Sequence, residues 1–341
     1  MSVSGLKFEL NCVVGEVSVD SASFFALFEG MRLALKIDVD TDRGTREGVE
    51  PLMRICEKHG ASATFLFSLG PDNTGKAIRR IFRPGFLQKV RRTNVAENYG
   101  LRTLLNGTLL PAPKIGKRNA DTMRAVQDAG FAVGIHCWDH FKWQDYLHKM
   151  RLERIQMDYA RAAWTFEEIF DAPARCAGAP GWQSNERSLD IYDAANLLWA
   201  SDTRWPTPWA TRAPRAPIAF FPRIGETTFE TLHFSTTLPT LDELLGREEY
   251  PDDEINRYLI GLLKQGVDHV HTLHAELEGL HYASLFDDLL ARAKAEGVEF
   301  FDLTTEAETL LADRSAIPVC AVHQGVIDGR SGELAVQGAV V

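Results

Sequence analysis

A chain of 341 residues, 45% of them hydrophobic, is long enough for two ordinary domains or one large barrel. Its formal net charge of −10 argues against general nucleic-acid binding, which normally needs a basic surface. Five scattered cysteines without a C-x-x-C pair indicate neither a disulfide scaffold nor a zinc ribbon, so we expect a reducing compartment. The sequence has no apolar run of about 18 residues, the length that predicts a membrane-spanning helix.

The first thirty residues differ from the rest, because strong hydrophobic periodicity begins only at Met31. They lack a basic segment followed by an apolar core, so we expect no secretory signal. Two interpretations stay open: residues 1–30 form an N-terminal extension, or native translation starts at Met31. Residues 31–312 are predicted to form one catalytic domain, and residues 313–341 a C-terminal hairpin tail.

From Met31 onward, apolar runs of strand length alternate with longer segments of helical period. This order favours βα units and a parallel sheet that is closed or covered on both faces. A helix over 46–58 is predicted to begin after an N-cap at Thr45 and to end at Gly60. The other main predicted elements are strands at 33–37, 63–67, 131–135 and 269–273 and helices at 152–170 and 282–293.

Asp38 and Asp40 come at the end of the first predicted strand. Side chains two apart on a strand point the same way, so both carboxylates can face one site although Val39 separates them. The active sites of barrels and open parallel sheets lie just after strands, which favours a functional interpretation. The alternative is that these aspartates cap the next loop.

His136 and His140 lie directly after the predicted strand 131–135. Histidines at i and i+4 share one face of a helical turn, and this spacing lets two imidazoles bind one metal ion. Taken alone, two unrelated histidines explain the spacing equally well. Cys137 between them is expected to point away and to pack in the core.

His274 follows the predicted strand 269–273, whereas His269 and His271 have the opposite parity and should face elsewhere. A lone histidine here would more often be structural than catalytic. Two histidines and an aspartate, however, form a facial ligand set that leaves coordination positions open. A bound divalent ion lowers the pKa of water and polarises a carbonyl, while the remaining carboxylate and histidine can act as base and acid. The clusters together predict a metal-dependent amide hydrolase.

The order of an aspartate pair, H-x3-H and a late Leu-His resembles the NodB-like polysaccharide deacetylase superfamily. Five further segments are more closely similar to the 4-deoxy-4-formamido-L-arabinose-phosphoundecaprenol deformylases: I-D-V-D-T at 37–41, R-G-T-R-E-G at 43–48, G-P-D-N at 70–73, W-D-H at 138–140 and H-A-E at 274–276. The resemblance runs from about Met31 to the C-terminal hairpin. It implies an α/β fold, the irregular (β/α)7 barrel of the NodB-homology type, as a single catalytic domain with a basic amphipathic insertion.

The resemblance also implies a role for each candidate residue: Asp38 is the general base, Asp40, His136 and His140 hold a divalent metal ion, and His274 is the general acid. Zinc, cobalt, manganese and nickel all suit such a ligand set. Water would attack a formamide carbon, Asp38 would take the proton, and His274 would protonate the leaving amine. The products would be formate and a 4-amino sugar.

This chain departs from the superfamily in two places. Val39 separates aspartates that are usually adjacent, so the choice between base and ligand within the pair stays open. The loop 176–182 lacks the arginine that the superfamily commonly places before its proline, so another group must orient Asp38.

Three more residues are candidates for the site. A backbone N–H near Gly181 or Trp182 is a candidate oxyanion donor, although a Pro-Gly segment also suits a simple turn. Asp202 is a candidate partner that keeps His274 protonated, and a helix cap is the alternative.

The segment 73–96 contains seven basic residues and no acidic one, in contrast to the negative charge of the whole chain. Apolar residues between the charges produce two short amphipathic pieces. Such a stretch suits an anionic membrane surface, where each Lys or Arg contributes about 1 kcal/mol, and also the phosphate of a polyprenyl-linked sugar. We therefore predict a membrane-contact segment at 75–104, with Arg79, Arg80 and Arg83 in substrate binding. The alternative is a solvated helix face whose apolar side packs on the barrel.

Three interpretations of function result. The first is deformylation of undecaprenyl-phosphate-linked 4-deoxy-4-formamido-L-arabinose at the cytoplasmic face of the inner membrane, by a peripheral enzyme of lipid A modification and polymyxin resistance. The second is a deacetylase of another N-acyl sugar, for which an export signal is expected. The third is a catalytically inactive membrane-surface binding module, which is disfavoured because all five chemical residues are present.

Overall fold

The computed structural model of the protein describes residues 31–77, 100–206, 217–264 and 267–341. Residues 1–30, for which the two interpretations above were given, lie outside the described residues. So do Arg79, Arg80 and Arg83. Within the described ranges, no helix is both long and apolar enough to cross a membrane.

The described residues contain one twelve-stranded mixed sheet. Seven of its strands run parallel in the spatial order β9-β1-β2-β3-β4-β5-β8, which confirms the (β/α)7 barrel. In chain order the strands are β1 (Arg32–Val39), β2 (Ala63–Ser68), β3 (Ala132–Cys137), β4 (Cys176–Ala177), β5 (Trp199–Ala200), β6 (Ala219–Ile224), β7 (Thr227–Thr228), β8 (Leu232–Phe234), β9 (His269–His274), β10 (Glu299–Phe300), β11 (Val319–Gly325) and β12 (Leu334–Val340).

The barrel is irregular where β8 meets β9. No strand ladder joins these two strands in the described residues. Instead, the Thr237 N–H donates to the Val270 carbonyl at 3.0 Å, and the Val270 N–H donates to the Thr237 hydroxyl at 2.9 Å. A loop after β8 therefore closes the barrel in place of a continuous ladder.

Helices cover the outside of this barrel. Helix 152–170 was predicted with the observed bounds, and its stripe of Ile155, Tyr159, Ala162 and Phe166 is buried against the sheet. In chain order the helices are α1 (Val49–His59), α2 (Leu101–Leu105), α3 (Ile115–Asp128), α4 (His140–Tyr146), α5 (Leu152–Phe170), α6 (Glu186–Ala194), α7 (Leu241–Leu244), α8 (Ile255–Leu263), α9 (Ala283–Ala295) and α10 (Leu303–Leu311).

Residues of β1 alternate between two environments. Leu33, Leu35 and Ile37 belong to the apolar cluster between sheet and helices. Ala34 belongs to a separate cluster inside the barrel, and Lys36 of the same parity is also fully buried. The period of two along the strand therefore carries Lys36 and the residues that follow it into the barrel interior.

The first helical segment begins earlier than expected. Thr41, not Thr45, caps it, because the Thr41 hydroxyl accepts the N–H of Gly44 at 2.9 Å. Thr45 lies inside a π-helical turn, Gly44–Gly48, and its hydroxyl donates back to the Thr41 carbonyl at 2.8 Å. The helix ends at Gly60 with φ +67°, as predicted for a left-handed C-terminal residue.

The C-terminal strands extend the sheet. β11 pairs in parallel with β6, and β12 pairs antiparallel with β11. From this hairpin, Ile327, Leu334 and Val336 form a small apolar cluster with Trp182 of the loop after β4. The hairpin therefore packs on the barrel, close to the loop that was singled out from the sequence.

Candidate active site and metal centre

The predicted catalytic residues lie at the carboxyl ends of neighbouring barrel strands. Asp38 on β1 and His274 on β9 are direct partners in the parallel ladder. Asp40 follows Asp38 with the same parity, and all three side chains are buried. Asp38 and His274 are far apart in the sequence but adjacent in the sheet, because β1 lies between β2 and β9.

Asp40, His136 and His140 converge on one point. The Nε2 atom of His136 is 3.2 Å from Asp40 Oδ1, and the Nε2 atom of His140 is 3.3 Å from Asp40 Oδ2. One ligand atom from each residue lies within 4.8 Å of the others. Burial alone would raise the pKa of Asp40, but the two histidines outweigh it and hold that pKa well below its usual range.

The secondary structure that positions the two histidines differs from the predicted helical turn. His136 is on β3, whereas His140 is the first residue of α4, which Asp139 caps through the Lys142 N–H at 3.1 Å. The pair therefore does not share one helical turn. A strand, a short turn and a helix start bring the imidazole centroids to 5.3 Å.

These three residues fit a divalent metal ion. His136 Nδ1 contacts the Gly178 carbonyl at 2.6 Å, which places the ring proton on Nδ1 and leaves the Nε2 lone pair toward Asp40. Among the described residues, Asp40 Oδ1 has no hydrogen-bond partner in spite of its burial. A buried carboxylate whose two oxygens each face one imidazole nitrogen is the arrangement expected of groups that share a cation. Nitrogen and oxygen donors suit zinc, cobalt, manganese and nickel.

Asp38 has a different environment from Asp40. Its Oδ2 atom is 3.5 Å from Lys36 Nζ, and its Oδ1 atom has no hydrogen-bond partner in the described ranges. Lys36 also donates to the Ser201 carbonyl at 3.2 Å. Burial lowers the pKa of Lys36, and the carboxylates of Asp38 and Asp202 oppose this effect. The sequence analysis did not single out Lys36, although its parity with Asp38 was a usable signal.

Asp202 does not pair with His274, which corrects the prediction. Asp202 Oδ1 accepts the Ala179 N–H at 2.7 Å, while Asp202 Oδ2 and His274 Nδ1 have no hydrogen-bond partner within the part of the chain that the structure describes. Asp202 follows β5, so its side chain reaches the loop after the adjacent strand β4 rather than β9. Burial raises the pKa of Asp202, with His233 as the largest opposing charge.

His274 is surrounded by other acidic groups. Burial lowers its pKa, and Asp242 is the largest charge that opposes this shift. The His274 N–H donates to Glu278 Oε2 at 2.9 Å, and burial raises the pKa of Glu278 to about 8. Sequence reasoning assigned no role to Asp242, Glu276 or Glu278, although the last two follow His274 within four residues.

The loop after β4 is tightly turned at Gly181 and Trp182, with φ +58° and +53°. The left-handed φ of Gly181 favours glycine at this position, because other residues adopt that conformation with strain. The Trp182 N–H donates to the Ala179 carbonyl at 3.1 Å. It is therefore engaged within the turn, which leaves the Gly181 N–H as the candidate oxyanion donor of this loop.

A polar network joins the ends of the basic segment to the turn before α4. The Gly75 N–H donates to the Asn106 carbonyl at 3.0 Å, and the Asn106 amide donates to Asp72 at 3.0 Å. The neighbouring Asn73 amide donates to Asp139 at 2.8 Å. Residues on both sides of the basic segment are thus connected to the helix start that carries the candidate ligand His140.

Comparisons with known proteins agree with this architecture. Residues 37–198 match the sequence model of the polysaccharide deacetylase family. The chain is 34% identical over 312 residues to the probable 4-deoxy-4-formamido-L-arabinose-phosphoundecaprenol deformylase ArnD of Shewanella sediminis, covering 91% of this chain and 96% of that protein. Identity to the protein of the same description from Wigglesworthia glossinidia brevipalpis is 30%, covering 87% of this chain and 99% of that protein.

Solved structures support the fold. A solved structure described as a polysaccharide deacetylase from Mycobacterium smegmatis has a TM-score of 0.55 to this chain at 14% identity. The match covers 84% of this chain and 92% of that chain. A second, from Pseudomonas aeruginosa PAO1, has a TM-score of 0.53 at 12% identity, covering 83% and 92%. At these identities the likeness shows the barrel architecture alone.

Proposed function

Because the chain belongs to the family of 4-deoxy-4-formamido-L-arabinose-phosphoundecaprenol deformylases, we propose that it hydrolyses the formamide of that lipid-linked sugar to formate and the 4-amino sugar. The observation that carries the proposal is the convergence of Asp38, Asp40, His136, His140 and His274 at one end of the barrel. We place the reaction in lipid A modification and cationic-peptide resistance.

Asp38 and His274, the two buried groups outside the ligand set, have different roles in the proposed mechanism. Asp38 accepts the proton of the attacking water at Oδ1, the oxygen that has no hydrogen-bond partner in the structure. His274, on the adjacent strand, donates a proton to the leaving nitrogen. The Gly181 N–H stabilises the oxygen that becomes negatively charged when the carbonyl is attacked.

Asp40, His136 and His140 would hold a divalent ion. When bound, it would polarise the amide carbonyl and lower the pKa of water. The Gly178 carbonyl keeps His136 in the tautomer that presents Nε2. This hydrogen bond would orient the His136 ring for metal binding in the absence of substrate.

We further propose that the enzyme is peripheral on the cytoplasmic face of the inner membrane. The described residues on either side of the basic segment, Asn73 and Asn106, belong to the polar network beside the site, and Arg79, Arg80 and Arg83 within the segment suit the lipid phosphate. Leu101, within the predicted membrane-contact segment 75–104, and Leu109, just after it, are 73% and 81% exposed. Apolar side chains beside a cationic stretch favour insertion at an anionic lipid interface.

The deformylase activity is tested by incubating purified protein with the lipid-linked formamido sugar and measuring formate. The His274→Gln variant should release little formate, whereas His148→Gln, which changes an exposed histidine, should match the unaltered protein. Hydrolysis of N-acetyl glycans without formate release from the lipid-linked sugar would favour the deacetylase interpretation. Tight liposome binding without any amide hydrolysis would favour the binding module.

The membrane proposal has its own test. Arg79, Arg80 and Arg83 are reversed to glutamate, and sedimentation with anionic liposomes is compared with that of neutral liposomes. The expected result is a loss of binding of about tenfold or more, since three reversals remove several kcal/mol of attraction. A matched control reverses Arg54, Arg161 and Arg257, which are exposed on other surfaces. Equal binding of both triple variants to anionic liposomes would contradict the proposal.

A further inference from the structure

Lys36 lies inside the barrel, two residues before Asp38 on β1, and three elements hold its ammonium. Its Nζ atom is 3.5 Å from Asp38 Oδ2, donates to the Ser201 carbonyl at 3.2 Å, and is 5.2 Å from the centroid of the Trp182 ring. The side chain is fully buried. Strand β1, the end of β5 and the loop after β4 therefore fix the position of this one cation.

Space filling does not explain a lysine at this position. A buried ammonium loses its hydration, so an apolar side chain of similar length would occupy the same volume at lower cost. The lysine is therefore expected to serve a nearby group that needs a cation. The carboxylate within reach is that of Asp38.

Among the described residues, the ion-pair neighbours of Asp38 are Lys36 and His136. His136 Nδ1 is 3.9 Å from Asp38 Oδ1, but the same atom contacts the Gly178 carbonyl at 2.6 Å. Its proton is thus committed to the carbonyl, and Lys36 is the neighbour able to orient Asp38. The loop 176–182, where an arginine was expected, contributes no cation.

We infer that Lys36 is the positioning residue of Asp38, holding Oδ2 so that Oδ1 faces the attacking water. This inference rests on the proposed function, in which Asp38 is the base. A base acts efficiently only when its lone pair is held in line with the proton it accepts. Lys36, held by the Ser201 carbonyl and the Trp182 ring, thus supplies from β1 the cation that a loop arginine would supply.

The test compares Lys36→Met with Lys36→Arg, both assayed for formate release and metal content. Lys36→Met should lower kcat about 10- to 100-fold while KM changes less than about threefold, because substrate binding does not use this group. Lys36→Arg should recover most of the lost kcat, since the cation is retained. Metal content should equal that of the unaltered protein in both variants, and Lys58→Met serves as a control at an exposed lysine.

A structural readout keeps the inference testable if a variant is weakly active. In a crystal structure of Lys36→Met, the Asp38 carboxylate is expected to rotate away from its position in the unaltered protein. A kcat for Lys36→Met within about threefold of the unaltered protein would overturn the inference. An unmoved Asp38 carboxylate would do the same.

Failure of the proposed function is recognised separately. It is indicated when the unaltered protein releases no formate from the lipid-linked sugar. The comparison of Lys36 variants is then made on the N-acetyl glycan that the protein does hydrolyse, and the position of the Asp38 carboxylate is read independently of any substrate.

Discussion

Glu276 holds Thr41 in place from the other side of the site. One carboxylate oxygen, Oε1, accepts the Thr41 N–H at 2.9 Å and the Thr41 hydroxyl at 2.7 Å. It also accepts the N–H of the candidate ligand Asp40 at 3.2 Å. The loop after β9 therefore fixes the backbone of a candidate metal ligand that directly follows β1.

Replacing Glu276 tests this support. Glu276→Ala leaves three buried donors without an acceptor, each costing about 1–3 kcal/mol, so we expect lower stability and at least about tenfold weaker metal binding. Glu276→Gln keeps an acceptor oxygen, so its stability and metal affinity should be much closer to those of the unaltered protein. Metal titration followed by calorimetry measures the difference. Similar metal affinity for both variants would show that Glu276 does not support Asp40.

Substitutions within the site should separate ligands from proton-transfer groups. His136→Ala and His140→Ala are expected to lower metal content, whereas Asp38→Ala and His274→Ala should keep the metal and lose about 10²–10⁴-fold in kcat. Elemental analysis and formate assays on the same preparations provide both numbers. Loss of metal in Asp38→Ala would reverse the roles of the two aspartates.

Removal of the metal should abolish turnover. After dialysis against a chelator, formate release is expected to fall to background, and addition of zinc, cobalt, manganese or nickel should restore it to different extents. The circular dichroism spectrum serves as a control for folding. Full activity in protein shown to contain no metal would contradict the metal-dependent mechanism.

The buried ion pair between Arg204 and Glu243 should contribute strongly to stability. Arg204 Nη2 donates to Glu243 Oε2 at 2.9 Å, and both side chains are fully enclosed. Glu243→Ala leaves a buried guanidinium without its main partner, which should lower the free energy of unfolding by about 3–5 kcal/mol. The exposed pair of Arg54 and Glu50 is the matched control, for which Glu50→Ala should cost less than about 1 kcal/mol in urea denaturation.

Buried histidines should make the protein acid-sensitive. Burial lowers the pKa of His271 to about 3 from the ordinary value of 6.5. Below pH 6.5 the unfolded chain binds a proton that the folded chain excludes, so stability is complete above that pH and is lost as pH falls toward 3. This histidine alone lowers the free energy of unfolding by about 1.4 kcal/mol per pH unit.

The slope is measured by denaturant unfolding between pH 7.5 and 5. His271→Gln should lose stability less steeply on acidification, because unfolding then takes up one proton fewer. The slope should be smaller by about 1.4 kcal/mol per pH unit. His148→Gln changes an exposed histidine and should keep the original slope. An unchanged slope in His271→Gln would mean that this histidine is protonated in the folded protein.

Local patterns were enough to predict several elements. Residues 152–170 repeat apolar side chains at helical spacing, and the helix has those bounds. The parity of Asp38 and Asp40 along a strand is a property of the backbone, so their common orientation followed directly. Gly60 was predicted to end its helix because left-handed φ favours glycine, and it does.

Other features depended on contacts that local patterns do not specify. A spacing of four suggested a shared helical turn for His136 and His140, yet the chain changes from strand to helix between them. Asp202 has the right chemistry for pairing with His274, but the order of strands directs it to Ala179. Lys36 and Glu276 make hydrogen bonds to partners more than a hundred residues away, Ser201 and Thr41.

The sequence by itself therefore determined which residues are candidates for the chemistry, because metal ligands, bases and acids are recognised by side-chain type and by short-range spacing. The tertiary structure decided how each is held: β1 between β2 and β9 placed Asp38 against His274, and the Ser201 carbonyl and the Trp182 ring were brought to the ammonium of Lys36. These arrangements arise from strand order and long-range packing, and neither is encoded in the period of any single segment.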